Sequence, residues 1–201
     1  MQFGVVILAA GASLRMGRPK MLLPWGDSTV LSHLIARWQQ AGAAQIGIVC
    51  ALGDVAINAE LDRIHFPRDR RIVNPEPARG MFSSIQCAAH WPDWNCELAR
   101  WAIVLGDQPH LASETLRAVA QFAFQESDKI CQPSRNGRAR HPVFLPKRVF
   151  KLLANSNHQT LKEFLAAHVS DLRLIEVNDP GLDFDLDTPA DYEEARRRFA
   201  N

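Results

Sequence analysis

The sequence has little that would mark it for a membrane, a nucleic acid or an oxidising compartment. No stretch approaches the roughly 20 apolar residues that a membrane span needs. The start, Met1-Gln2-Phe3-Gly4, has neither a basic segment nor a long apolar core, so it does not read as a secretory signal. An excess of one charge is missing too: 23 basic residues face 22 acidic ones, for a net charge of +1. Such a balance gives no broad field for a nucleic acid or an anionic membrane, so any anion must be met by a local cluster. The four cysteines, Cys50, Cys87, Cys96 and Cys131, include no Cys-x-x-Cys pair. That argues against a zinc knuckle or a thioredoxin-like motif. Cys50 and Cys131 sit in apolar runs and read as reduced core thiols. The expectation is a cytoplasmic protein with no nucleic acid or membrane partner.

Repeats, low-complexity tracts and an interdomain linker are also missing. A chain of 201 residues suffices for one domain with a sizeable core, so a single domain over 1–201 is expected. What is present is alternation. Phe3–Ala9 is a nearly continuous apolar run, suited to a strand buried on both faces. Ser28 can cap a helix that carries Leu31, Leu34, Ile35 and Trp38 on one face and ends at Gly42. Strand-like segments follow at 46–51, 71–74, 101–105, 129–132, 142–145 and 172–177. Helical ones fall after Asp54 and at 80–90, 113–125, 160–167 and 189–199. Strands alternating with helices predict an α/β fold with a mainly parallel central sheet. Ligands in such folds bind outside the carboxyl ends of the strands.

The first such end opens the loop Leu8-Ala9-Ala10-Gly11-Ala12-Ser13-Leu14-Arg15-Met16-Gly17-Arg18-Pro19-Lys20. Small residues let the backbone approach a ligand and present its N–H groups as an anion nest. Arg15 can fork across two phosphate oxygens, and Lys20 adds a mobile point charge. The spacing is neither Walker A nor G-x-G-x-x-G. An ordinary glycine-bearing turn with solvated basic residues would look the same.

Later strand ends carry acid. Val104-Leu105-Gly106-Asp107-Gln108-Pro109 sets a carboxylate after a strand, placed either to bind magnesium or to cap the next helix. Asp183-Phe184-Asp185-Leu186-Asp187 alternates strictly. As an extended strand it would put three carboxylates on one face, roughly 6–7 Å apart, a repulsion that a cation would relieve. Thr188 and Pro189 read as the N-cap and N1 of the last helix. Asn74-Pro75 with Gly80, Ser83 and Ser84 forms a loop entering a helix, able to meet a base or phosphate. Arg138-Ala139-Arg140-His141-Pro142 is a basic turn before a strand.

Together these blocks resemble, in order and over nearly the whole chain, the nucleotidyltransferases related to the molybdenum cofactor enzymes. Leu-Ala-Ala-Gly-x-Ser-x-Arg-Met-Gly-x-Pro-Lys at 8–20 carries the resemblance. Leu23-Pro24, Asn74-Pro75, Gly106-Asp107-Gln108-Pro109, His141-Pro142 and Asp185-Leu186-Asp187-Thr188-Pro189 extend it. The later blocks are similar to the cytidylyltransferase branch, since Ala10, Asp185 and Asp187 differ from the guanylyltransferase pattern. Arg140 departs from it, standing where that branch carries Gly.

The resemblance implies a Rossmann-like three-layer sandwich of the nucleotide-diphospho-sugar transferase type. It also implies transfer of CMP from CTP to the terminal phosphate of the molybdopterin cofactor, with Mg²⁺, or Mn²⁺ in its place. Arg15, Lys20 and Asp107 would be catalytic. Leu8, Ala9, Ala10, Gly11, Asn74, Gly80, Ser83 and Ser84 would join Arg15 and Lys20 around the nucleotide. Asp107 with Asp185 or Asp187 would bind metal. Gln108, Pro109, Arg140 and His141 would face the acceptor. A molybdenum hydroxylase or its chaperone would receive the product. A nucleotidyltransferase acting on a sugar 1-phosphate, or a non-catalytic cofactor chaperone, would use the same first loop.

Overall fold

In the computed structural model, which describes residues 2–11 and 13–199, the chain opens with β1 (Gln2–Leu8). Its side chains alternate between two buried faces: Phe3, Val5 and Ile7 join one core, Val6 the other. A two-stranded ribbon follows, β2 (Pro24–Trp25) and β3 (Ser28–Thr29). Then come α1 (Val30–Gln40), β4 (Gln45–Ala51), α2 (Val55–Arg63), β5 (Arg71–Asn74), α3 (Met81–His90) and β6 (Leu98–Leu105). The second half contains α4 (Ser113–Gln125), β7 (Ile130–Arg135), β8 (Arg138–Ala139), β9 (Val143–Pro146), α5 (Lys147–Leu153), α6 (Leu161–Ala167), β10 (Leu172–Glu176) and α7 (Pro189–Phe199). Among the described residues no helix is long and apolar enough to cross a membrane.

The main sheet has the order β10-β7-β9-β6-β1-β4-β5, with β8 paired to β7. It is mostly parallel; β9 runs antiparallel to β6 and β7. One apolar layer joins α1, α2, α4 and α7 to the sheet through Leu34, Trp38, Leu61, Val119 and Tyr192. The other joins α3, α5 and α6 through Ile85, Phe150 and Phe164. The expected three-layer sandwich is present. Fully burying a Val, Ile or Phe contributes roughly 1.5–3 kcal/mol, so these two layers are what hold the sheet between the helices.

Local details differ from the sequence expectations in instructive ways. Thr29, not Ser28, caps α1, accepting from Ser32 N at 3.1 Å, because Ser28 is held in the ribbon opposite Trp25. Asp54 caps α2 as expected. Thr188 and Asp191 exchange hydrogen bonds in a capping box at the start of α7. The run Asp183–Asp187 is no sheet strand. Pro180–Asp183 is a 3₁₀ turn and the four residues after it have no partner strand. Phe184 and Leu186 still turn inward.

Topology fixes where a ligand can sit. From β1 the chain moves to β4 and β5 on one side, then returns to place β6 on the other. The order therefore reverses between β1 and β6, and a crevice opens at their carboxyl ends. The loops Gly11–Lys20 and Gly106–His110 form its walls. Because β9 is reversed, its beginning, not its end, faces the same crevice, beside the ends of β7 and β10.

Candidate active site

The first loop is pinned from within. Ser13, at φ 48°, accepts from Lys20 N at 3.1 Å and through its carbonyl from Met16 N at 3.0 Å. Ala9 N donates to the Val49 carbonyl. Gly11 needs no special φ, and a methyl group there would touch nothing within 4 Å, so open space lies in front of it. Ala12 lies outside the described residues. Gly106 has the opposite reason to be glycine: a Cβ would strike Met21 Sδ and the Leu8 carbonyl, where the two crevice loops cross.

Lys20 reaches into the crevice. Its Nζ lies 3.0 Å from Asp107 Oδ2 and 3.0 Å from Asp187 Oδ1. Arg15 Nη2 meets Asp187 Oδ2 at 3.0 Å. The Lys20 side chain is 17% exposed and that of Arg15 71%, so one cation is set and the other reaches toward solvent. Burial alone would lower the Lys20 pKa. The charge of Asp107 and hydrogen bonds to both carboxylates outweigh it and hold the ammonium above its ordinary value. The Lys20 hydrogen bond, with the charges of Lys20 and Arg15, keeps Asp187 below the usual carboxylate range. Asp107 does not cap α4; the cap position is Ala112, which has no capping side chain.

The three carboxylates of the 183–187 run go to three different partners. Asp187 joins Lys20 and Arg15. Asp185 accepts from Gln108 Nε2 at 3.1 Å. Asp183 lies between Arg135 and Arg140. Without a strand to carry them they share no face: Asp187 and Asp183 meet cations, whereas Asp185 meets a neutral amide. Among the described residues no group of three or more His, Cys, Asp or Glu side chains is arranged to hold a metal. Asp107 and Asp187 do converge on one cationic atom. The other oxygen of Asp107, Oδ1, is buried with no hydrogen-bond donor among the described residues. Two carboxylates completed by waters and phosphate oxygens are what Mg²⁺ prefers, so this donor pair fits a hard divalent cation.

Asn74, Ser83 and Ser84 are brought together as a buried network. Asn74 Nδ2 donates to both serine hydroxyls at 2.9 Å, its Oδ1 accepts from Glu76 N, and Ser83 Oγ donates to the Gly80 carbonyl at 2.8 Å. Their polar atoms are spent on shaping the entry to α3. Gly80 caps that helix at φ 93°, ψ 177°, a region essentially reserved for glycine.

Gln108 and Pro109 are buried, and only the Gln108 amide reaches the crevice, on Asp185. His141 is half-buried, its Nδ1 3.4 Å from the Ile103 carbonyl. Burial holds its pKa below the usual imidazole value. Arg140 is tied to Asp183 through Nε at 3.0 Å and Nη2 at 2.6 Å. The thiols of Cys50 and Cys131 are pushed up by burial to about 12 and about 11, as expected of inert core cysteines.

Three positioning residues escape the sequence reading. His110 is buried with Nε2 on the carbonyls of Gly181 and Phe184. Asp179 accepts from Gly181 N and Ala112 N. Together they fasten the 180–184 turn to the loop after β6. Arg135 is the second cation on Asp183. Neither the Gly-Asp-Gln-Pro-His string around His110 nor the residues flanking Arg135 and Asp179 carry a local signal for these contacts.

Comparison with known proteins identifies the family. A family model described as the MobA-like NTP transferase domain matches residues 5–172. The molybdenum cofactor cytidylyltransferase of Escherichia coli is 26% identical over 200 residues, covering 96% of this chain and 95% of its own. A molybdenum cofactor guanylyltransferase of Mesorhizobium japonicum is also 26% identical, over 96% of this chain and 93% of its own. The crystal structure of Rv0371c from Mycobacterium tuberculosis superposes with a TM-score of 0.77 at 26% identity, covering 98% and 99% of the two chains. A manganese complex of Rv0371c superposes at 0.71 and 24% identity, over 98% and 100%. A crevice walled by the β1 and β6 loops, on a chain matched over most of its length, makes this protein a member of the MobA-like NTP transferase family.

Proposed function

We propose that the chain transfers CMP from CTP to the terminal phosphate of the molybdopterin cofactor, releasing pyrophosphate and forming the cytosine dinucleotide cofactor. One observation carries the reading: Arg15, Lys20, Asp107 and Asp187 converge at the mouth of the β1–β6 crevice, although they come from three separate parts of the chain. Two fixed cations suit a triphosphate, and two carboxylates suit the ion that accompanies it.

An oxygen of the acceptor phosphate attacks the α-phosphorus of CTP in line, the bond to the β-phosphate oxygen breaks, and pyrophosphate leaves. A phosphate is already an anion, so no strong general base is needed. The protein's work is positioning and charge neutralisation. Arg15 holds the β- and γ-phosphates, and Lys20 meets charge developing at the α-phosphate. Asp107 and Asp187 would hold Mg²⁺ or Mn²⁺, which when bound neutralises charge on the phosphate oxygens. The manganese complex of Rv0371c supports a divalent ion on this fold. The open space before Gly11 and the turn at Gly80 border the nucleotide, with Leu8, Ala9 and Ala10 behind them. Asn74, Ser83 and Ser84 act by setting that turn. Arg140 and His141 stand toward the acceptor.

Cytidylyl and guanylyl relatives are both 26% identical to this chain, so the choice of base is argued from Ala10, Asp185 and Asp187. The test is pyrophosphate release from CTP, GTP, ATP and UTP, each with and without molybdopterin. Release that requires molybdopterin and is fastest with CTP is expected. Release supported instead by a sugar 1-phosphate, or none with any acceptor, would overturn the reading.

A further inference from the structure

Beyond the Lys20 clamp, on the same 183–187 segment, two guanidiniums converge on one carboxylate. Arg135 Nη1 bonds Asp183 Oδ2, and Arg140 places Nε and Nη2 on Oδ1 at 3.0 and 2.6 Å. Two arginines on Asp183 leave one positive charge in excess among the three, with the Glu176 carboxylate close enough to act on Arg135. Its side chains are 25%, 27% and 31% exposed, partly desolvated yet open to a ligand. Arg135 Nε is buried and has no acceptor among the described residues. The terminal nitrogens that face Asp183 are the ones a ligand can reach, and a phosphate offers them more acceptor oxygens than a carboxylate does.

The frame beneath is stiff. Asn136 and Gly137, at φ 52° and 72°, make the two-residue turn between β7 and β8. Glu176 fixes that turn by accepting from Ser134 Oγ and Asn136 N, both at 2.6 Å. Arg140 is held by its own backbone, N to the Pro133 carbonyl and carbonyl to Gln132 Nε2. Asp183 and Asp187 are four positions apart, a reach of no more than about 14 Å. The arginine pair and the triphosphate clamp are therefore tied to the two ends of one short segment.

We propose that Arg135 and Arg140 seat the phosphate of the acceptor, and that Asp183 is a resident counter-charge which this phosphate displaces. The assignment rests on the acceptor being a phosphate, as the proposed reaction requires. It makes opposite predictions for the two kinds of residue. Arg135→Ala and Arg140→Ala weaken acceptor binding by roughly ten- to hundredfold, the loss expected for charge-assisted hydrogen bonds. Arg140→Lys, which keeps the charge but not the fork, weakens it too. Asp183→Asn, which removes the competitor, tightens it.

The experiment uses the full chain with its donor site filled by α,β-methylene CTP and phenyl phosphate as the phosphomonoester probe, titrated by ³¹P NMR. Thermal unfolding of each variant shows whether it is folded. In turnover with molybdopterin, the acceptor KM should move in the same directions while the CTP KM stays put. Asp183→Asn that weakens the probe, or folded arginine variants that bind it like the wild type, would overturn the proposal. Failure of every acceptor to support turnover would instead sink the proposed reaction, and the probe titration would still decide the arginine pair.

Discussion

Lys20 and Asp187 stand 167 positions apart in the sequence and 3.0 Å apart in space. The contact closes the C-terminal run over the first loop, and the same ammonium also holds Asp107. An amine thus occupies the point on which two carboxylates converge, where a divalent ion would have to compete with it. Lys20→Met keeps the length of the side chain without its charge. It should lower kcat by roughly 10²–10³, the loss typical of removing one charge-stabilising donor. It should also raise the affinity of the nucleotide-free protein for Mn²⁺, read by electron paramagnetic resonance. Unchanged Mn²⁺ affinity would mean that the carboxylate pair is not the metal seat.

Asp185 and Asp187 look equivalent in sequence but not in space. Asp187 faces Lys20 and Arg15, whereas Asp185 is occupied by the Gln108 amide. Asp107→Asn and Asp187→Asn are expected to raise the Mg²⁺ concentration needed for half-maximal rate by roughly tenfold or more. Asp185→Asn should move it less. Rates measured across a Mg²⁺ series rank the three, and a larger effect at Asp185 would reverse their roles.

Two glycines separate conformation from ligand space. At Gly80 the backbone conformation is the obstacle, so Gly80→Ala should cost about 1–3 kcal/mol of stability in urea unfolding and raise the CTP KM. At Gly11 neither backbone nor neighbours object to a methyl group. Gly11→Ala should therefore unfold like the wild type and still bind CTP more weakly. Normal CTP binding by Gly11→Ala would remove that stretch of the loop from the nucleotide site.

Stability should fall as pH drops below about 6.5. His110 is buried and His141 half-buried, and their loss of contact with water holds both pKa values below the ordinary one. Near and below pH 6.5 the unfolded chain takes up protons that the native state refuses. Each such histidine adds a slope of up to about 1.4 kcal/mol per pH unit, present above that pH and lost on acidification. Asp183 and Asp187, whose pKa values are depressed by Arg140 with Arg135 and by Lys20 respectively, add a separate loss only below about pH 4. Urea midpoints measured between about pH 8 and pH 5 test this. His110→Gln should be less stable at the upper end and show a shallower slope; an unchanged slope would place the titrating group elsewhere.

The parallel half of the sheet was readable because its strands are apolar on both faces and are followed by capped helices. The direction of β9 was not, since an apolar run has the same pattern read either way. α5 was missed because its seven residues follow β9 with only Pro146 as punctuation. The alternation of Asp183–Asp187 predicted the burial of Phe184 and Leu186 correctly but not the geometry of the carboxylates. Alternation reports which side chains turn inward, whereas a shared face also needs a neighbouring strand to flatten the backbone. Lys20, Arg15, Asp107 and Asp187 could be nominated from residue type and position after strands. Arg135, His110 and Asp179 could not, because their roles exist only once distant segments meet.

The reversed strand also divides the labour of change. Loops leaving β1 and β6 are tied to each other by Gly106 and to the parallel ladder, so an altered length there disturbs both walls at once. The tip of the β7–β8–β9 segment stands outside that parallel ladder, braced by Glu176 and Gln132. Its tip can exchange a glycine for an arginine, or lengthen by a residue, without shifting the register that frames the nucleotide. On the proposed assignment, lineages of this fold can acquire new acceptors by editing one hairpin while inheriting the donor machinery intact.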